Sequence, residues 1–79
     1  MILSDHAKQA MLDDDVEESE VRQCLEHGKL TTQGFVKGEP RYVKTCELKG
    51  RKIVVVYTLN CDEVRVITVY AIWSKKWRN

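Results

Sequence analysis

The sequence predicts an α+β domain with two N-terminal helices packed on one face of a three- to four-stranded antiparallel meander sheet. Three observations predict it. Up to residue 27 the apolar side chains recur at helical spacing; from residue 41 onward they alternate or run continuously in β-branched types; and the links between the later runs are short enough to demand antiparallel neighbours. Seventy-nine residues provide interior for one core, so a single domain is predicted for residues 1–79. With 43% hydrophobic and 32% charged residues, well mixed, the composition is that of a folding chain and not of a disordered one.

Taken in order, Ser4 precedes a helix over Asp5 to Leu12, where Ala7, Ala10 and Met11 share a face and Asp5 places negative charge at the positive end. The run Asp13-Asp14-Asp15 would burden a helix C-terminus, so it reads as a solvated break between helices. A second helix runs from Glu17 to His27 with the stripe Val21, Cys24 and Leu25, with Val16 packing back on it and with Gly28 as a left-handed cap. Residues 29–40 contain Gly34, Gly38 and Pro40 and read as a mobile loop with a short edge strand at 34–37. Strands follow over Arg41–Leu48, Ile53–Leu59 and Val64–Trp73, separated by turns at Lys49-Gly50-Arg51 and Asn60-Cys61-Asp62. On the last strand, strict alternation sends Val64, Val66, Thr68, Tyr70 and Ile72 to one face and Arg65, Ile67, Val69, Ala71 and Trp73 to the other. Residues 74–79 form a mobile basic tail in this reading.

Charge is sorted along the chain. Residues 1–27 hold eight acids against two bases, a net of −6, and residues 28–79 hold eleven bases against four acids, a net of +7. The near-neutral total therefore conceals a dipolar molecule whose sheet half is the place to seek an anionic partner. Cys24, Cys46 and Cys61 are odd in number and lack Cys-x-x-Cys spacing, which leaves reduced thiols, two of them in the core and Cys61 in a turn, and no zinc half-site. No basic-then-apolar leader opens the sequence, and the longest apolar run, Ile53 to Tyr57, is too short to cross a bilayer, so a cytoplasmic location without membrane attachment is expected.

Three groups could carry chemistry. His6, on the first helical turn, bears an imidazole, a group that titrates near neutral pH and suits proton transfer or phosphate contact. His27 suits a helix C-terminus, and the two histidines lack a carboxylate at metal-site spacing, so neither a metal nor another cofactor is expected. The cluster Tyr70, Trp73, Lys75, Lys76, Trp77 and Arg78 interleaves bases with aromatics, the combination that neutralises phosphate while stacking on exposed nucleobases. Arg41, Lys44, Lys49, Arg51, Lys52 and Arg65 would widen that patch if the fold gathers them.

The order Leu3-Ser4-x-His6-Ala7, Met11, a break ending in Val16, Glu17-Glu18-x-x-Val21 and finally Val66-Ile67-Thr68-Val69-Tyr70 resembles the family called domain of unknown function 4258 over about residues 2–72. That family usually opens Ser-x-His-Ala-x-x-Arg-Met, and a relation to RelE-type and BrnT-type toxins, small α+β domains that cut RNA without metal, is implied by the resemblance. This chain departs from the pattern at Ala10, where arginine is usual, and at Asp14-Asp15, where Arg-Gly is usual. An aspartate repels the phosphate that an arginine would hold. Of the opening motif's residues suited to proton transfer or phosphate contact, His6 carries over.

The expectation that follows is a small RelE-toxin-like domain that binds RNA or another polyanion through its basic sheet half, with Arg41, Lys52, Arg65, Lys75, Lys76 and Arg78 as contacts. A toxin-type endoribonuclease, with His6 or Tyr70 moving the proton, is one alternative; a non-catalytic subunit that meets an antitoxin-like protein or a second copy of itself is the other. RNA, alone or on the ribosome, is the expected partner in the first two cases.

Overall fold

The computed structural model describes residues 1–73. Seven elements follow in chain order: β1 (Ile2–Leu3), α1 (Asp5–Asp13), α2 (Glu18–His27), β2 (Lys29–Val36), β3 (Glu39–Leu48), β4 (Arg51–Asn60) and β5 (Glu63–Trp73). The strands form one sheet in the order β1-β5-β4-β3-β2. Strands β2 to β5 are an antiparallel meander as predicted, but β1 adds a fifth strand parallel to β5, making the sheet mixed. Two residues are too few to show a period, so Ile2-Leu3 gave no strand signal.

Residues 29–40, expected as a mobile loop with a short edge strand at 34–37, instead form a longer edge strand β2 that begins at Lys29, a turn and the start of β3. Strand β2 is an edge strand exposed along nearly all of its length, so it carries no alternation between buried and solvated positions. All three hairpin loops have two residues: Lys37-Gly38, Lys49-Gly50 and Cys61-Asp62. Each of these residues has positive φ, which matches the right-handed twist of the flanking strands. The strand signal at Arg51 and Asn60 was masked because a turn residue and a strand end look alike in sequence; both residues belong to β4.

Helix α1 lies over β5, and α2 over β4 and β3. Ala7 and Met11 of α1, Val16, and Val21 and Cys24 of α2 meet Ile53, Val55, Tyr57, Val66 and Val69 in one core. Full burial of an aliphatic side chain of this kind contributes about 1.5–3 kcal/mol. Val16 joins the core as expected.

The start of α1 is tied to the sheet by Ser4. Its hydroxyl oxygen accepts the Ala7 N–H at 3.0 Å, its O–H donates to the Ile67 carbonyl at 3.0 Å, and its backbone N–H donates to the Val66 carbonyl at 3.1 Å. Ile67 is the extra residue of a β-bulge: Val56 pairs with Thr68 and Tyr57 with Val66. The bulge overturns the strict alternation predicted for β5. Val64 and Val66, then Val69, Ala71 and Trp73, face the helices, while Arg65, then Thr68, Tyr70 and Ile72, face away.

Gly28 ends α2 with φ −72° and ψ 170°, an extended conformation and not the left-handed cap predicted. Glycine is needed there for space. A Cβ would stand 2.3 Å from the Cys24 carbonyl oxygen and 2.9 Å from that of Thr45. Cys24 is buried, Cys46 half-buried and Cys61 exposed. Burial, and next the neighbouring Cys46 thiol, push the Cys24 thiol up to about 12, so it stays protonated.

Candidate functional site

The sheet has two unlike faces, and side-chain alternation decides which base serves which. On the helix side stand Lys44, Arg51 and Trp73; on the open side stand Arg41, Lys52, Arg65 and Tyr70. Two bases on the helix side are absorbed by the fold. Lys44 Nζ donates to the Leu25 carbonyl at 2.6 Å, neutralising the negative end of α2. Arg51, 7% exposed, donates from Nη1 to the Asp14 carbonyl and from Nη2 to the Asp15 carbonyl, each at 2.8 Å, and its Nη2 meets the two Glu20 oxygens at 3.0 and 3.2 Å.

Glu20 is itself 4% exposed and accepts the Glu17 N–H at 2.9 Å, so one carboxylate caps the start of α2 and fixes it to β4. Burial raises its carboxyl, but the Glu17 hydrogen bond and the Arg51 bonds and charge outweigh that and hold it below its ordinary value. Trp73 lies 5.7 Å from the Arg51 guanidinium, over the same cleft of about 220 Å³ that Asp14, Asp15, Glu17 and Lys49 line. Asp14 also accepts the Ala71 N–H at 2.9 Å, covering an edge position of β5 beyond the reach of β1. The acidic break thus corrects its sequence reading: Asp14 and Asp15 supply ligands for the arginine that locks helix to sheet, in addition to meeting solvent.

Sequence reasoning placed Arg51 and Lys44 in a broad basic patch and missed this lock. The signal was thin: an acid at the third position of a helix and an arginine opening a strand are both common, and their meeting is a contact 31 residues apart.

The residues nominated for function are divided between the layers. His6 is exposed on α1, in the helix layer. Tyr70, 43% exposed, pairs with Val54 on the open face, so the sheet stands between the two residues nominated for proton transfer. Arg41, Lys52 and Arg65 share Tyr70's face. They are interspersed with acids there: Arg41 meets Glu39 at 2.8 Å and Lys52 pairs across the strands with Glu47. Lys75, Lys76 and Arg78 lie outside the described residues. Arg41, Lys52 and Arg65 therefore stand across the sheet from the imidazole and not beside it.

On β3 to β5 the face also carries the β-branched Val43, Thr45, Val56, Thr68 and Ile72, while β2 adds Lys29 and Gly34 and the far end of the β4–β5 pair adds Asn60 and Glu63. The face presents dispersed positive charge over a half-apolar sheet. Among the described residues no cluster of three or more His, Cys, Asp and Glu side chains is placed to hold a metal. Among them, too, no helix is long and apolar enough to cross a membrane.

No curated protein and no solved structure shows significant similarity to this chain. The model of one family, described as Domain of unknown function (DUF4258), matches residues 3–71, which takes in Ser4 and the bulge it anchors, both helices and nearly all of the sheet. The chain belongs to that family.

Proposed function

We propose that this protein binds RNA, held as a single strand across the open face of the sheet, without cutting it. The observation that carries the reading is the placement of Arg41, Lys52, Arg65 and Tyr70 on the one sheet face that no helix covers among the described residues. Arginine and lysine supply phosphate contact, and Tyr70 with its β-branched surroundings supplies a surface on which an unstacked base can lie. Lys75, Lys76 and Arg78 follow directly on β5 in the sequence and add positive charge to the same reading. The helices ahead of an antiparallel meander support a distant kinship with RelE-type toxins.

Binding is favoured over endoribonuclease chemistry because Arg41, Lys52 and Arg65 stand across the sheet from His6, which separates the imidazole from phosphate-holding charge, and because His6 and Tyr70 lie in different layers and cannot serve one phosphate as acid and base together. Titrating a short single-stranded RNA into the protein at several salt concentrations tests the proposal. The expected result is affinity that drops steeply with salt and weakens further when Lys75, Lys76 and Arg78 are replaced by Gln, with the RNA recovered intact. An affinity indifferent to salt contradicts binding, and cleavage abolished by His6→Ala or Tyr70→Phe restores the catalytic alternative.

A further inference from the structure

One row across the open face combines two arginines with a hydroxyl that the fold leaves unused. Thr58 and Arg65 are directly paired between β4 and β5. Tyr42 and Tyr57 are directly paired between β3 and β4, so one step further along that antiparallel pair Arg41 stands across from Thr58. Tyr57 points into the core and stacks on Tyr42 with ring centroids 5.3 Å apart, which sends Thr58 to the opposite, helix-free face. Adjacent strands lie roughly 4.8 Å apart, so the two arginine backbones straddle Thr58 at a separation of about 10 Å, within reach of two guanidinium arms converging on one small anion.

Thr58 is 1% exposed, and its hydroxyl has no hydrogen-bond partner among the described residues. Valine would fill the same volume on a β-strand without stranding a polar group, so a threonine here is a cost to the fold that a partner from outside would remove. Arg65 makes no ion pair among the described residues. Arg41 has both its Nε and Nη2 on Glu39 Oε1, at 3.2 and 2.8 Å, an exposed contact of the kind that gives way readily to a better acceptor.

We propose that Arg41, Thr58 and Arg65 form a seat for a single tetrahedral oxyanion, a backbone phosphate of the bound nucleic acid. The proposal rests on the RNA-binding reading and deepens it by naming the phosphate that fixes register on the sheet. Each guanidinium donates its fork to non-bridging oxygens, and the Thr58 O–H donates to the same group once the arginine arms turn toward the ligand. Glu39 is the internal competitor for Arg41.

The test is a titration of ¹⁵N-labelled protein with inorganic phosphate at constant ionic strength, repeated for Arg41→Gln, Arg65→Gln, Thr58→Val and Glu39→Gln and followed by RNA binding with the same proteins. Saturable amide shifts centred on Arg41, Thr58 and Arg65 are expected. Either arginine variant should bind phosphate about tenfold more weakly, which corresponds to about 1.4 kcal/mol. Thr58→Val should weaken binding several-fold while its melting temperature rises, and Glu39→Gln should tighten binding. Shifts that scatter and never saturate, or a Thr58→Val protein that binds phosphate as the parent does, overturn the seat. If phosphate saturates the row but RNA does not bind, the seat stands and the RNA reading falls. If RNA binds the Arg41→Gln/Arg65→Gln protein at parental affinity, the seat falls and the broader reading stands.

Discussion

Arg51 and Arg65 sit on neighbouring strands of one sheet, yet one is enclosed and the other exposed. Arg51 opens β4 on the helix side, meets Glu20 and takes two backbone carbonyls from the acidic break. Arg65 faces away from the helices, where no carboxylate pairs with it among the described residues. The difference teaches that the sign sorting visible along the sequence has two destinations. Part of it is internal, acidic helix junction against basic strand, and is spent holding the layers together. Another part, Arg41, Lys52 and Arg65, stands on the far face, outside that lock.

The sharpest way to break this comparison is to remove Arg51. Arg51→Ala strands a buried carboxylate and two carbonyls, and the loss of one partner from a buried pair costs about 3–5 kcal/mol, against a total of roughly 4–12 kcal/mol for a domain of this length. Urea titration is expected to find this variant largely unfolded at neutral pH, with Arg65→Gln melting within a few degrees of the parent. The same lock has a pH signature. Because the Glu20 carboxyl is held below its ordinary 4.5 in the folded chain, its contribution is fully present above that value and is lost as pH falls through the lowered folded value. Stability should therefore decline on acidification below about 4.5, and Glu20→Gln, destabilised at pH 7, should show a shallower decline.

Next in size is Gly28, where α2 passes into β2. Gly28→Ala drives a methyl against two carbonyl oxygens and should cost about 1–3 kcal/mol in chemical denaturation. A smaller effect is expected at Ser4, which joins α1 to the bulge: Ser4→Ala gives up the cap on the Ala7 N–H and the bond to Ile67, a loss of about 1–2 kcal/mol in the same assay. Both changes act on the helix side and should leave affinity for RNA unaltered at temperatures where the variants are folded.

Much of this architecture was legible in the amino-acid order. Helical spacing of Ala7, Met11, Val21 and Cys24 located both helices, and continuous β-branching located the central strand, because those elements bury a face and the burial writes a period into the sequence. Strand β2 was legible only as a short edge strand at 34–37 for the converse reason, being exposed on both faces, and β1 was lost because it is two residues long. The alternation of β5 misled past Ile67, since a bulge shifts parity without altering composition. At the candidate site, residue type nominated Arg41, Lys52, Arg65 and Tyr70, and their common face came only from register. Residue type nominated Lys44 and Arg51 as well, which the fold withdraws. Thr58 carried no signal in sequence, because an unpaired hydroxyl is a property of its surroundings.

The central claim is one of sidedness, and two charge-matched triple variants test it most directly. One replaces Arg41, Lys52 and Arg65 of the open face by Gln; the other replaces Lys8, Arg22 and Lys49, which are exposed outside that face. The measurement is the slope of log affinity against log salt for a single-stranded RNA, to which each phosphate neutralised contributes about −0.7. The open-face variant should lose about two units of slope, on the basis of about three contacts, while the other retains the parental slope. Equal losses in the two variants would contradict the account, since RNA would then be answering to net charge and not to a face.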